Sequence, residues 1–252
     1  MPCELPTADC ELPAPRRAIL PIERVVAGLE VLLCSGFPTQ FVVIILLASF
    51  GMRPRTADGH LSAPFIFSLT LLDTVFVVGL IVFFFRARGE SLREQLFGGW
   101  RPPGREVILG LALIPVSFLV VVFVLVLLQI VAPSLRNVPH NPFADLVKTR
   151  ADAVIFAFVV MVAGGVREEI QRGFVLRRFE QYLGGGLVGL AVFSVLFGLG
   201  HLEQGRDVAL ATSVLGAFWG AIFLARRTIL GPMIGHSGFN LAQVAKFVLM
   251  GG

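Results

Sequence analysis

The sequence predicts an all-α fold, a polytopic membrane helix bundle of about seven transmembrane helices. Three observations lead there. Of 252 residues 56% are hydrophobic, roughly 141 side chains, and only 15% are charged, whereas a soluble domain carries about 25% charged residues. Mean hydropathy is +0.83, which excludes a soluble globule. A spanning helix takes about 20 mostly apolar residues, so this supply suffices for about seven, and an open sheet edge would leave its backbone unsatisfied in hydrocarbon.

The chain begins with residues 1–18, polar, Pro-rich and partly acidic (Glu4, Asp9, Glu11). They lack the basic-then-apolar order of a cleaved signal peptide and read as a disordered, retained tail. Seven apolar runs follow, at about 25–50, 63–85, 107–132, 152–174, 187–202, 208–225 and 228–250. The longest polar connection, 86–106, holds Ser91, Leu92, Glu94, Leu96, Phe97 and Trp100, the pattern of a short interfacial helix opened by a Ser91–Glu94 capping box. Gly184, Gly185 and Gly186 read as the turn between the fourth and fifth runs. Cys3, Cys10 and Cys34 are odd in number and confined to the start of the chain, so no disulfide framework is indicated. Gly216 with Gly220 and Gly231 with Gly235 form G-x-x-x-G patterns that let helices approach closely within the chain. The chain thus divides into the tail 1–18, N-terminal helices with an interfacial segment over 19–150, and a C-terminal helical core over 151–252.

Lys and Arg punctuate the runs rather than clustering on one face, so the net charge of +4 speaks of membrane topology and not of nucleic acid. Twelve lie on the N-terminal side: Arg16, Arg17, Arg24, Arg86, Arg88, Arg93, Arg101, Arg105, Arg177, Arg178, Arg226 and Arg227. Six lie opposite: Arg53, Arg55, Arg136, Lys148, Arg150 and Arg206. The asymmetry predicts a cell-membrane protein with a cytoplasmic N-terminus.

Ionisable groups inside spans are costly and are functional candidates. Glu30 and Asp73, in the first two runs, are expected to pair with arginines of the bundle or to line the cavity, pairing being favoured. The fourth run carries Arg167-Glu168-Glu169-Ile170-Gln171-Arg172. Adjacent carboxylates point about 100° apart on a helix, so one glutamate can be neutralised by Arg172, at i, i+3 or i, i+4, while the other faces a cavity. The fifth run ends in Phe197-x-x-x-His201, and the seventh holds His236-x-x-x-Asn240, which puts imidazole and carboxamide on one helical face. Each pattern alone is weak; the three in order, each expected on its own apolar helix, are not. His60 and His140 lie in polar loops and read as solvated.

E-E-x-x-R, F-x-x-x-H and H-x-x-x-N together resemble the CAAX-protease and bacteriocin-processing (CPBP, or Abi) family of intramembrane proteases, over roughly 152–250. The resemblance implies that Glu168 and His201 activate a water, that His236 and Asn240 stabilise the oxyanion, and that Glu169 pairs with Arg172. The family's usual spacing is E-E-x-x-x-R, and here Arg172 comes one residue early. Placing Arg172 in register would put Arg167 at the first glutamate's position and leave no base there, which favours the Glu168-Glu169 register. The implied activity is an endopeptidase acting on a membrane-associated or prenylated peptide or protein, at a cavity opening to the cytoplasm.

Such chemistry asks for a base, an acid for the leaving amine, and donors for the oxyanion. The resembled family is described as metalloproteases, and Glu168, His201 and His236 are a donor set that can hold a divalent metal such as Zn²⁺ with an open position. No H-E-x-x-H is present, and the residues leave the metal question open. Two further readings stand beside the peptidase: a non-catalytic scaffold or immunity-type membrane protein with a buried polar network, and a transporter, for which no inverted repeat is visible. Depth gives a further expectation. Counted from Arg177 and Arg227, Glu168 and His236 lie about 14 Å below the basic face, and His201, counted from Gly186, about 22 Å.

Overall fold

The computed structural model describes residues 18–99, 102–139 and 142–250. The tail short of Ala18, with Cys3 and Cys10, lies outside the described residues, as do Trp100, Arg101 and His140. Among the described residues every regular element is helical; the one extended contact is an antiparallel bridge between Arg55 and Leu61.

The first apolar run is two helices, α1 (Pro21–Leu33) and α2 (Phe37–Ser49), bent by 41°. The break falls at Gly36, whose φ of +90° favours a residue without Cβ, and Pro38 opens the new helix in its first turn, where no N–H is missed. α3 (Ala63–Ala87) follows, then the short α4 (Leu92–Phe97) with Ser91 accepting from the Glu94 N–H at 3.4 Å. α5 (Gly104–Val131) is nearly all apolar. α6 (Arg150–Val159) opens on a Thr149–Asp152 capping box and continues through a π-helical stretch, Val160–Arg167, into α7 (Glu168–Tyr182). Gly184 and Gly185, both at positive φ, turn the chain into α8 (Gly186–Leu199). α9 (Arg206–Arg226) and α10 (Leu230–Met250) complete the bundle.

Three of these helices, α3, α5 and α9, are long and apolar enough to cross a membrane, and the bent pair α1–α2 makes up to four. Seven crossings are therefore not established. The remaining runs do fold as helices, but α8 has 14 residues, and α6–α7 and α10 carry the polar groups of the site. Side chains such as Phe123 (68% exposed) and Ile130 (75%) lie bare along α5; apolar surface of that extent is what lipid covers.

Small residues bring the site helices together. A Cβ at Gly110 would lie 2.5 Å from Ile234, and one at Gly235 2.7 Å from Leu113, so α5 and α10 touch backbone to side chain. On α9, a Cβ at Gly216 would meet Phe197 and one at Gly220 would meet Leu190, both on α8. The G-x-x-x-G patterns are thus contacts within the chain.

The arginine-rich end of the bundle is closed. Glu30 accepts from Arg88 at 2.7 Å and from the fully buried Arg178 at 2.5 Å, and Arg178 reaches Glu90 at 2.8 Å. Arg177 donates to the Gln95 carbonyl at 2.8 Å, and the Ile229 N–H to that of Leu96, also at 2.8 Å. Leu96 is itself buried against Phe174, Phe223 and Ile229. α4 therefore plugs this end, and several basic residues counted as a loop border are internal partners.

Candidate active site

The site is built where the α6–α7 rod loses its α-helical register. In the π-helical stretch one more residue is wound into each turn, a geometry that clusters at functional positions. It sends neighbouring side chains different ways. Arg167 turns outward to a buried ion pair with Asp73 of α3, and Asp73 also accepts from the Thr39 hydroxyl of α2. Glu168, the next residue, lines a cavity instead. Gly164 and Gly165 let α10 lie against the stretch: a Cβ at Gly165 would sit 1.9 Å from the Ser237 hydroxyl, and one at Gly164 2.4 Å from the Asn240 carboxamide nitrogen.

Glu169, fully buried, pairs with Arg172, also fully buried. Its Oε1 lies 2.9 Å from His236 Nδ1. Since a carboxylate only accepts, Nδ1 carries the proton, and His236 Nε2 faces Glu168 at 3.7 Å. The Arg172 guanidinium lies over the rings of Phe193 (5.1 Å), Phe197 (5.0 Å) and Trp219 (5.6 Å), an aromatic cage that suits a cation withdrawn from water. Thus Glu169 is the paired carboxylate, and Glu168, its side chain 19% exposed, is the one facing open space.

His201 differs from expectation. It lies in the turn after α8, not within the helix. Its Nδ1 is 2.8 Å from the Phe197 carbonyl; that oxygen can only accept, so Nδ1 holds the hydrogen and Nε2 keeps its lone pair. The Phe197 ring packs on both imidazoles, 5.0 Å from His201 and 6.2 Å from His236. Asn240, one helical turn beyond His236, points its amide toward the Val160 carbonyl at 3.5 Å, a weak contact.

Glu168, His201, His236 and Asn240 all line one cavity of about 440 Å³. Gln204, Gln243 and Thr212 add polar groups to its wall, while Phe67, Leu125, Leu146 and Phe156 make the rest apolar. The wall runs toward the ends of helices that carry Ile66, Leu125, Val208 and Gln243, the side away from the arginine-rich end. The expected opening toward the basic face is therefore corrected, because ion pairs and α4 close that face. The depth of Glu168 is revised as well: α7 runs past Arg177 to Tyr182, so Glu168 lies about 21 Å from the end of its helix, close to the length of the 14-residue α8 that His201 follows.

Residues 150–242 match the family model for type II CAAX prenyl endopeptidase Rce1-like proteins. In this part the chain is similar to that family. The match spans the fold from α6 to within α10 and takes in Glu168, Glu169, Arg172, His201, His236 and Asn240. No curated protein and no solved structure matches the chain. A segment similar to that family and bare apolar helices together point to an integral membrane protein.

Within the Rce1-like core the three groups offered for a metal do not converge. Glu168 and His236 face each other, but among the described residues no three His, Cys, Asp or Glu side chains gather as a metal site. This arrangement does not fit a resident ion. Outside it, Glu30 and Asp73 are both ion-paired, as expected, and Cys34 is a free, buried thiol. His60, read as solvated, is half exposed but lies 2.9 Å from Asp145. Sequence reasoning missed Trp219, stacked on His236 at 3.8 Å. The available signal was its place between Gly216 and Gly220, on the face that α9 buries.

Proposed function

We propose that the protein is an intramembrane endopeptidase of the CAAX-processing type, hydrolysing a peptide bond in a membrane-associated or prenylated substrate. One observation carries this reading: four polar side chains from α7, the end of α8 and α10 line a single cavity in otherwise apolar walls. In the proposed reaction Glu168 and the Nε2 lone pair of His201 take up the proton of a water whose oxygen attacks the scissile carbonyl. The oxyanion accepts from the Asn240 amide and from His236, whose Nε2 can donate when the ring carries both protons, Nδ1–H being committed to Glu169. The proton held by Glu168 then passes to the leaving amine, so the residue is regenerated. Glu169 and Arg172 orient His236 without touching substrate. In this reading the seven apolar segments, α1–α2, α3, α5, α6–α7, α8, α9 and α10, cross or enter the bilayer alternately.

The test is cleavage of an internally quenched peptide ending in a farnesylated Cys-a-a-X sequence by the purified full chain in liposomes. Glu168→Gln is expected to abolish cleavage while the protein still melts cooperatively. Cleavage by Glu168→Gln at the wild-type rate would falsify the assignment and favour a scaffold whose polar network is structural. Asn240→Ala is expected to lower kcat about 10²–10³-fold, the usual effect of deleting an oxyanion donor.

A further inference from the structure

Trp219 is 1% exposed and lies in the cavity wall beside the four candidate catalytic groups. Its ring stacks on His236 with centroids 3.8 Å apart and planes 23° from parallel, and the Arg172 guanidinium lies 5.6 Å from it. It thus touches the two partners that Glu169 joins. Among the described residues its indole N–H has no hydrogen-bond partner. A buried donor left unpaired costs stability, so the hydrogen bond is not what this site draws from an indole; the broad flat face is. Glu169 fixes His236 only at Nδ1, which leaves the ring free to rock about that contact. A plane stacked on the ring removes this freedom and aims Nε2 at Glu168, 3.7 Å away.

We infer that Trp219 is a positioning residue, the aromatic plane that holds His236 and Arg172 in catalytic register. This rests on the peptidase reading above. It implies that any flat aromatic ring suffices at 219, and that a side chain of comparable bulk without a plane does not. A misplacement of about 1 Å at a reacting group can cost on the order of 10²-fold in rate. Trp219→Met puts a flexible thioether in place of the larger indole, and Trp219→Phe, also smaller than the indole, retains a plane.

The experiment measures kcat and KM on the farnesylated quenched peptide in liposomes, with thermal unfolding of each variant alongside. Trp219→Met should lower kcat about 10–100-fold with KM within twofold, and Trp219→Phe should recover kcat to within about threefold of wild type. Wild-type kcat in Trp219→Met, or an equal loss in the Met and Phe variants with unchanged melting, overturns the inference. If Trp219→Met does not fold, Trp219→Phe decides: near-wild-type kcat supports the role and a tenfold loss with intact melting overturns it. Glu168→Gln separates the two levels, since a chain that cleaves equally with and without Glu168 sinks the peptidase reading itself, whereas Glu168 dependence without a Trp219 effect sinks only this one.

Discussion

Two adjacent glutamates have opposite surroundings, and the difference predicts opposite phenotypes. Glu169 and Arg172 are both fully buried and paired. Removing one partner strands the other's charge, which typically costs about 3–5 kcal/mol. Arg172→Gln should therefore lower the midpoint of thermal unfolding in detergent sharply, and cleavage should fall with it, from lost folded protein and from a His236 whose Glu169 partner is no longer anchored. Glu168 faces the cavity, so Glu168→Gln should leave the melting curve nearly in place while ending cleavage. Similar melting losses in both variants would contradict this division of roles. The sequence offered both assignments through spacing, since i, i+3 and i, i+4 are each within reach of Arg172. What decides between them is the aromatic cage from α8 and α9, a tertiary feature with no local signature.

At the scale of elements, the site depends on how closely α10 approaches the π-helical stretch. Gly164 leaves no room for a Cβ beside the Asn240 amide. Gly164→Ala should raise intrinsic helix propensity yet displace that amide, so the variant should melt no lower than wild type and lose activity like Asn240→Ala. The double variant should lose little more than either single one, because both remove the same donor; additive losses in a double-mutant cycle would refute the shared cause. Most helices were legible because runs of about 20 apolar residues leave little alternative. The break at Gly36 and the π-helical stretch were not, since each depends on a contact between distant elements, Arg167 against Gly36 and Ser237 of α10 against Gly165; the early end of α8 rests on a local contact, His201 folded back on Phe197, which apolar periodicity does not reveal. The candidate residues were legible by type and order; the depth of Glu168 was not, because Arg177 and Arg178 read as border charges and are internal partners.

For the molecule as a whole, the paired arginine-rich end and the cavity toward the other end predict that substrate enters from the face away from the arginines. The Lys and Arg count predicts a cytoplasmic arginine-rich face, so the cavity face is expected on the far side. With Cys3 and Cys10 replaced by Ser, a membrane-impermeant maleimide should label Asp58→Cys, in the loop between α2 and α3, on intact cells, and Glu94→Cys, in α4, only after permeabilisation. The reverse pattern would invert the orientation and open the cavity to the cytoplasm.

Hydrolysis consumes a water molecule at a depth where a bilayer holds almost none, and the short α8 bears on how it arrives. Its 14 residues reach about 21 Å, against about 30 Å of hydrocarbon in a typical bilayer. A helix too short for its membrane is met by thinning of the lipid around it. Thinning of that kind at the end of α8, beside His201, is expected to bring the headgroup layer and its water toward the candidate groups. Lipid thickness then becomes a control on rate: cleavage should be faster in liposomes of short-chain than of long-chain phosphatidylcholine.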